Sequence, residues 1–302
     1  MSKQLLFIYN PKAGRQRIRN MLSGVLEEFS AQGYEPTVHP TQEGGEAERV
    51  ARDEGGSFAR VVCCGGDGTL NEVVSGLIGL PCQQRPVVGY IPAGSTNDFA
   101  RTLGLPRSVG QMARTACIGQ PRAVDVGLAN QTPFVYVCAF GLFTDVAYST
   151  PQNAKNSLGH LAYVLEGAGR LMNVPTYHMT IHTDDGRQLE EDFVFGMVSN
   201  TRSVGGVNCM PADSVKLDDG LFEVTLVRPP RSPKDWQSIL ATLSGQEVSQ
   251  EDAVIRFSAS RITFRCDQPV SWTVDGEFGG EWQEAEIENL PQAIRIACPG
   301  NT

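Results

Sequence analysis

The sequence predicts an α/β domain followed by a second domain built mainly of antiparallel strands. Three observations lead to this prediction. Strand and helix patterns alternate through residues 1–124, whereas strand patterns joined by turns dominate residues 125–288. The length of 302 residues also suits two domains, since one domain usually spans about 100–200 residues. No long linker occurs near Pro121, where the alternation of strand and helix patterns gives way to strand patterns. We therefore expect the two halves to pack closely and to leave a cleft between them.

In the first half, short apolar runs predict strands, and apolar residues three and four positions apart predict helices. We expect strands at residues 5–9, 34–39, 60–64 and 86–92. We expect helices at residues 18–29, at about 46–54, from Thr69 onward, and at 97–103 and 109–117. Such a β-α-β-α order indicates a mostly parallel sheet with helices on both faces.

In the second half, strand patterns occur at residues 123–129, 134–140, 177–183, 191–200, 221–228, 261–266 and 270–277. Helical spacing is restricted to residues 159–172 and 235–245. Short strands joined by turns such as Asp185–Gly186 are typical of an antiparallel sandwich or a barrel-like pair of sheets.

The composition describes a globular protein with a sizeable core, at 41% hydrophobic and 20% charged residues. A net charge of −9 argues against a nucleic-acid partner but leaves a local membrane-facing patch open. The eight cysteines are scattered without a C-x-x-C pair, which indicates buried thiols in a reducing compartment and no zinc site. No apolar run approaches the roughly 20 residues of a membrane-spanning helix, and the N-terminal run is too short for a signal peptide, so we expect a cytoplasmic protein.

Three loops follow three of the predicted parallel strands: YNPKAGRQR at 9–17, GGDGTLNE at 65–72 and IPAGSTNDFAR at 91–101. Turn chemistry and helix capping alone explain glycine, Asp and Thr at such places. Alternatively, bare glycine backbone and a helix N-terminus accept a phosphate, with Lys12 or Arg15 neutralising its charge. Neither the P-loop nor the dinucleotide fingerprint is present. Because ligands bind at the carboxyl ends of strands in open α/β sheets, three converging loops favour a nucleotide site.

Two stretches of the second half carry neighbouring carboxylates. KLDDGLFEV at 216–224 is typical of a turn before a strand, and Asp218 and Asp219 would also suit a hard cation such as Mg²⁺. VDGEFGG at 274–280 is typical of a hairpin turn, and Asp275 and Glu277 would also supply a general base. The four histidines form no metal-ligand pattern and are interpreted as structural.

Taken together, these stretches resemble the diacylglycerol kinase catalytic-domain family, and within it the bacterial soluble lipid kinases. NPKAG, GGDGTLNEVV, PAGSTNDFAR, KNSLGHLAY, KLDDGLFEV and VDGEFGG follow the order of the family from Asn10 to Gly280. The GGDGT core alone is shared with NAD kinases and phosphofructokinases. The joint presence of NDFAR and DGE makes the resemblance specific to the lipid kinases.

The resemblance implies an ATP site in the first domain. Asp67 resembles the carboxylate that organises the catalytic metal or the acceptor hydroxyl, and Asp98 resembles a member of the same aspartate–water–Mg²⁺ network. Lys155 resembles a lysine near the phosphates. Arg15 lies where the family often has lysine. Its guanidinium group retains the positive charge but binds phosphate with a different geometry from an ammonium group. The positions implied to contact ATP are Asn10, Pro11, Lys12, Ala13, Gly14, Arg15, Thr41, Gly65, Gly66, Asp67, Gly68, Thr69, Leu70, Asn71, Glu72, Thr96, Asn97 and Lys155.

The resemblance also implies a structural Mg²⁺ held by the Asp219 carboxylate and by the backbone oxygens of Lys216 and Leu221. Asp275 resembles the general base, with Glu277 beside it. The implied catalytic set is therefore Asp67, Asp98, Asp275 and Glu277.

For the fold, the resemblance implies a Rossmann-like first domain, similar to phosphofructokinases and NAD kinases. A strand at 293–299 is expected to close this domain, so that residues 289–302 join it, while the β-sandwich at 125–288 takes the lipid. The implied activity is ATP-dependent phosphorylation of a hydroxyl of diacylglycerol or a related lipid by a cytoplasmic protein that reaches the membrane surface transiently. A kinase of a soluble substrate such as NAD and a catalytically silent nucleotide-binding regulatory module remain alternatives. The acceptor lipid and association into a homodimer stay open.

Overall fold

The structure is a computed structural model that describes residues 3–142, 175–210, 215–232, 235–236, 238–239, 241 and 253–300. It divides into two compact units, one formed by Met1–Val126 with Pro291–Thr302 and the other by Gly127–Leu290. The helix predicted at 159–172 lies outside the described residues. The described residues of the helix predicted at 235–245 are helical.

The first unit is built on a parallel sheet. Four strands form in the expected places because their apolar runs are buried, and they are β1 (Lys3–Tyr9), β2 (Tyr34–Pro40), β3 (Arg60–Gly65) and β4 (Val87–Pro92). They lie in the order β4-β3-β1-β2, and each neighbouring pair is parallel. The last strand of the chain, which begins at Glu277 and ends at Cys298, joins the β4 edge in parallel through Ile296 and Val88.

Five helices of the described chain belong to this unit: α1 (Arg17–Ala31), α2 (Glu46–Glu54), α3 (Asp67–Ile78), α4 (Asp98–Thr102) and α5 (Val109–Ile118). A short 3-10 helix at Ala13–Gln16 leads into α1. Helix α3 begins at Asp67, before the predicted Thr69, because Gly66 is the extended N-cap and an acidic residue in the first turn complements the helix dipole. The core between this sheet and α1 and α5 contains Phe7, Ile18, Phe29, Ile91 and Met112.

The second unit consists of antiparallel strands. After β5 (Gln120–Ala129), which crosses the division between the units, its strands are β6 (Thr132–Phe134), β7 (Val137–Gly141), β8 (Tyr177–Thr183), β9 (Gln188–Phe193), β10 (Phe195–Ser199), β11 (Ser203–Val204), β12 (Val207–Asn208), β13 (Phe222–Val227), β14 (Val254–Ala259), β15 (Arg261–Val274) and β16 (Glu277–Cys298). Strands β14, β13, β10, β7, β15 and β16 lie side by side in that order, and β8 and β9 extend from β15. The predicted fold class, α/β followed by an antiparallel β domain, is confirmed.

Strand β15 organises the second unit. Its first half pairs with β8 through Ile262–Cys266, and its second half pairs with β7 through Trp272–Val274. A register shift in its pairing with β16 lies between Arg265 and Val270, at the point where β15 changes partner. Two predicted strands, 261–266 and 270–277, are therefore one continuous strand and the turn that follows it. The aromatic core of the unit packs around Trp272, whose ring centroid lies 4.9 Å from Phe140 and 5.2 Å from Phe264.

Two predicted strands are interrupted. The run 134–140 forms β6 and β7, and the backbone N–H groups between them bind the carboxylate of Asp275 instead of a neighbouring strand. The run 191–200 forms β9 and β10, separated at Val194. In the part of the chain that the structure describes, no helix combines the length and apolar character needed to span a bilayer.

Candidate active site

The loops after β1, β3 and β4 lie at the same edge of the first unit, because these parallel strands are neighbours in the sheet. Backbone hydrogen bonds connect the strand ends in sequence. The N–H of Thr41 donates to Tyr9 at 2.9 Å, the N–H of Asn10 donates to Cys64 at 2.9 Å, and the N–H of Ala93 donates to Gly65 at 2.7 Å. The predicted ATP-contacting residues in the ranges 10–14, 65–72 and 96–97, together with Thr41, therefore come together at one sheet edge.

The glycines of these loops have different roles. A Cβ atom on Gly94 would lie 2.6 Å from the Cα atom of Gly66, and one on Gly65 would lie 2.3 Å from Oγ1 of Thr69. Gly94 is needed because the third loop packs its backbone against that of the second, whereas Gly65 leaves room for the side chain of Thr69 in its own loop. Gly68 differs, since a Cβ there would meet no atom within 4 Å. Gly68, in the first turn of α3, leaves open space of the kind that a bound phosphate uses.

The carboxylate of Asp67 joins the second loop to the third. Its Oδ2 atom accepts the backbone N–H of Asp98 at 3.0 Å, and its Oδ1 atom accepts the N–H of Phe99 at 3.3 Å. Helix α4 begins at Asp98, so Asp67 satisfies the first N–H groups of a helix on another loop. The hydroxyl of Tyr90 also donates to Oδ1 at 3.4 Å. Asp67 and Asp98 are both buried. They are neighbours in space, because the Asp67 carboxylate binds the backbone N–H of Asp98.

Asn97 closes the third loop on itself. Its side-chain oxygen accepts the N–H of Gly94 at 2.8 Å, and its amide nitrogen donates to the carbonyl of Gly94 at 3.0 Å. The backbone of Asn97 adopts a positive φ of 51°, a conformation that asparagine tolerates better than most residues. Thr96 is half-buried in the same turn. Asn97 thus holds the shape of the loop that presents Thr96.

The first loop contributes positive charge to the site through Lys12. The side-chain oxygen of Asn10 accepts the N–H of Lys12 at 2.9 Å. The ammonium group of Lys12 donates to the carbonyl of Gln42 at 3.3 Å, next to Thr41. Gly14 has a positive φ of 55° at the start of the helical segment. The side chain of Arg15 and all of Lys155 lie outside what the structure describes.

Glu72 has a contact that its motif does not predict. Its Oε2 atom accepts the N–H of Ala47 at 3.1 Å, in the first turn of α2. Glu46, in the same turn, accepts the N–H of Gln42 and lies 3.0 Å from Nε2 of His39. These bonds lower the pKa of Glu46, the backbone bond being the largest cause. Both glutamates therefore fix the segment that follows Thr41.

Burial keeps the thiols near the site neutral. Burial raises the pKa of Cys64 to about 12 and places that of Cys63 well above its ordinary value. In the second unit, burial and the charge of Asp275 raise the pKa of Cys138. These three thiols offer no thiolate nucleophile. Six of the eight cysteines are buried, as predicted, but the prediction is wrong for Cys82, which is exposed, and for Cys266, which is half-buried.

In the second unit, the turn between β15 and β16 presents two carboxylates with very different surroundings. Asp275 is 4% exposed, and its carboxylate accepts the N–H groups of Val135, Tyr136 and Val137 at 2.7, 3.0 and 3.0 Å. Glu277 is exposed, and its side chain forms no hydrogen bond or ion pair with any residue that the structure describes. Asp275 therefore holds the hairpin against the break between β6 and β7, whereas no described residue donates a hydrogen bond to the carboxylate of Glu277.

The loop before β13 is held in place by burial and by one side chain. Leu217 is 2% exposed, and its carbonyl accepts a hydrogen bond from the Asn200 amide at 3.5 Å. Oδ1 of Asp219 accepts the N–H of Leu221 at 3.1 Å, and Gly220 between them has a φ of 79°. Asp219 and Leu221 thus share one tight turn.

Glu223, two positions beyond this turn, is a residue that the motif does not identify. Its Oε2 atom is buried and has no hydrogen-bond partner among the residues that the structure describes. Burial, with a smaller contribution from the charge of Asp219, raises the pKa of Glu223 to about 8. The sequence signal is an acidic residue within a mostly apolar strand.

The donors of this turn fit a hard cation. A carboxylate, backbone carbonyls and a buried carboxylate oxygen without a partner are the oxygen ligands that Mg²⁺ selects. Within the described ranges, no group of three or more His, Cys, Asp or Glu side chains is arranged to hold a metal. A cation at Asp219 would therefore rely on the carbonyls of Lys216 and Leu221 and on water.

Known proteins are similar to this chain along nearly its whole length. Residues 4–129 match the diacylglycerol kinase catalytic domain, and residues 139–298 match the YegS C-terminal NAD kinase beta sandwich-like domain. A diacylglycerol kinase of Bacillus subtilis (strain 168) is 33% identical over 299 residues, which cover 98% of this chain and 97% of that relative. A diacylglycerol kinase of Staphylococcus carnosus (strain TM300) is 30% identical, with 99% and 96% covered. The crystal structure of a putative diacylglycerol kinase from Bacillus anthracis str. Sterne superposes with a TM-score of 0.82 at 26% identity, covering 98% of this chain and 97% of that one.

Proposed function

Because this chain belongs to the diacylglycerol kinase family, we propose that it transfers the γ-phosphate of ATP to a hydroxyl of diacylglycerol or a related lipid. The observation that carries the proposal is the bonding of Asp67 to the start of α4, which joins two glycine-rich loops at the sheet edge where α/β proteins bind nucleotides. A turn serving only to reverse the chain does not need a buried carboxylate shared between two loops.

On the nucleotide side, the chain supplies position and charge more than covalent chemistry, as phosphoryl transfer requires. The start of α3 directs backbone N–H groups and a partial positive charge toward the space above Gly68, where phosphates would lie. Lys12 adds a full positive charge beside Thr41. Asp67 and Asp98 keep the two loops in register, so that the phosphates meet a preformed backbone surface.

On the acceptor side, we assign proton acceptance to Glu277 and a positioning role to Asp275. A carboxylate that accepts three backbone N–H groups is a weak base, because those bonds favour its charged form. The exposed carboxylate of Glu277 has no described donor to displace. The motif alone assigns the base to Asp275, and that assignment stays as the competing prediction.

Magnesium enters the proposal at two places. Mg²⁺ bound with ATP would neutralise the charge that develops on the transferred phosphoryl group. A second, structural Mg²⁺ is proposed at Asp219, with the carbonyls of Lys216 and Leu221. We further propose that the protein works in the cytoplasm and meets its lipid at the membrane surface.

The test uses the purified full chain, Mg²⁺ and ATP labelled at the γ-phosphate. Diacylglycerol, monoacylglycerol, phosphatidylglycerol and sphingosine are offered in mixed micelles, and NAD is offered in solution. We expect label in a lipid and none in NAD, and we expect Asp67→Asn to abolish transfer while the exposed Asp53→Asn leaves it unchanged. Transfer to NAD without transfer to any lipid would show a kinase of a soluble substrate. Nucleotide binding without transfer to any acceptor would show a regulatory module.

A further inference from the structure

The first turn of α2 lacks a capping side chain of its own. Its N-cap residue is Gly45, which has a φ of 78° and no side chain to offer. A helix start needs acceptors for its first backbone N–H groups, and the N-cap side chain usually binds the N–H two or three positions later. Here Oε2 of Glu72, on α3, accepts the N–H of Ala47 at 3.1 Å. Glu72 thus caps a helix to which it does not belong.

Close packing of α2 against α3 holds this bond in place. Glu72 and Gly76 are four positions apart, so they lie on the same face of α3. A Cβ atom on Gly76 would lie 2.2 Å from the carbonyl oxygen of Glu48 and 3.0 Å from Cβ of Ala51, so glycine is required for this approach of the two backbones. Glu72 faces the first turn of α2 and Gly76 the residues that follow it. The two helices therefore run in the same direction, and their N-termini are neighbours.

From the start of α2, hydrogen bonds continue to a charged residue of the candidate nucleotide site. The carboxylate of Glu46 accepts the N–H of Gln42, in the loop after β2. The carbonyl of Gln42 in turn accepts a hydrogen bond from the ammonium group of Lys12 at 3.3 Å. An ammonium group has three N–H donors, so this bond leaves donors for phosphate oxygens. The position of Lys12 therefore depends on where α2 begins.

We propose that Glu72 positions Lys12 for the phosphates of ATP, through α2 and Gln42, and does not contact the nucleotide itself. The inference rests on the proposed nucleotide site and assigns a role to the glutamate of the GGDGTLNE stretch. The resemblance to the family implies an ATP contact at this position instead. A carboxylate facing the phosphates would repel them, and the bond to Ala47 directs this one toward α2.

The first measurement is calorimetric binding of ATP with Mg²⁺ to the full chain, with no acceptor present. Glu72→Ala removes the acceptor of the Ala47 N–H, and we expect it to weaken ATP binding about tenfold, the effect of losing one charge-assisted hydrogen bond. Glu72→Gln keeps an oxygen that accepts this N–H, so it should bind ATP within about threefold of the wild type. Glu54→Ala is the matched control, because it makes the same chemical change at an exposed residue of α2.

The second measurement is hydrogen exchange of residues 42–47 in the nucleotide-free protein, which reports the cap directly. These N–H groups should exchange faster in Glu72→Ala than in the wild type, Glu72→Gln and Glu54→Ala. If Glu72→Ala does not fold, Glu72→Met, which keeps the length of the side chain without its oxygens, is measured instead. Lys12→Met tests the route. It should itself weaken ATP binding, and adding Glu72→Ala should weaken binding by less than about threefold further, since Glu72 acts through Lys12.

Three results would overturn the inference. ATP binding as weak in Glu72→Gln as in Glu72→Ala would show that the charge of Glu72 acts on the nucleotide directly. Unchanged exchange of residues 42–47 in Glu72→Ala would show that Glu72 does not hold the start of α2. A further loss of about tenfold in the double variant would exclude the route through Lys12. The proposed function fails separately, because the expected differences in ATP binding without transfer of label to any lipid would refute the lipid kinase and leave this inference standing.

Discussion

Replacing Asp275 with asparagine and Glu277 with glutamine, one at a time, separates the two carboxylates of the β15–β16 turn. Asp275 accepts three backbone N–H groups, and asparagine would offer one oxygen and one donating amide in its place. One buried N–H would then face another donor. An unsatisfied buried donor costs about 1–3 kcal/mol, and loss of the charge weakens the remaining bonds. We therefore expect Asp275→Asn to lower the free energy of unfolding by about 2–4 kcal/mol, a large part of the usual total of about 5–15 kcal/mol.

Glu277→Gln should behave in the opposite way. The side chain is exposed and has no described partner, so its replacement should change the free energy of unfolding by no more than about 0.5 kcal/mol. Removal of a general base typically lowers turnover by about 10²–10⁴-fold. Urea unfolding and steady-state turnover on diacylglycerol micelles measure the two effects, with Glu286→Gln as the control for an exposed glutamate on β16.

The opposite pattern would refute this reasoning. Asp275→Asn would then unfold as the wild type does but lose turnover, and Glu277→Gln would keep turnover within about threefold of the wild type. Those results would identify Asp275 as the base. Two results together support Glu277 as the base. Asp275→Asn should lower stability while Glu277→Gln does not, and turnover should be lost only in Glu277→Gln.

Three further predictions concern other residues. Gly94→Ala should lower the free energy of unfolding by about 1–3 kcal/mol in urea, because its methyl group would meet backbone at 2.6 Å, whereas Gly68→Ala should fold as wild type and raise the KM for ATP. Glu46 has a lowered pKa, so it stabilises the fold above pH 4.5 and loses that contribution as the pH falls below this value. In Glu46→Gln the free energy of unfolding should therefore fall less steeply with decreasing pH in this range. An unchanged dependence on pH would contradict this. Phe278 is 58% exposed beside the proposed base, and Phe278→Ser should raise the KM for micellar diacylglycerol about fivefold, without changing the KM for ATP, if it contacts the lipid.

Much of the fold followed from patterns along the chain. The apolar runs of β1, β3 and β4 and the spacing in α1 are local signals, and the structure places these elements where they were predicted. The break at Val135 and Tyr136 was not predictable in this way. It depends on a carboxylate 140 residues away along the chain, and no pattern within 134–140 reports that partner.

The site shows the same division between local and distant causes. The three loops could be found because each carries its own glycines and polar residues next to a strand. The bond from Asp67 to the start of α4 and the bond from Glu72 to α2 join segments that are distant in sequence, so the motif named both residues without revealing these contacts. Glu223 was missed because an acidic residue in a strand is usually solvated, and only burial makes it unusual.

The last strand has a consequence for the order in which this protein can fold during synthesis. The sheet of the first unit includes Ile296 beside Val88, and Arg85 donates to the carbonyl of Ala293. Residues 127–290, which form the other unit, are made between these partners. Until residues 291–298 leave the ribosome, β4 remains an open edge with unpaired backbone groups, the kind of surface that recruits strands from other chains. The first unit is therefore begun first on the ribosome and completed last, after the residues of the second unit have been translated.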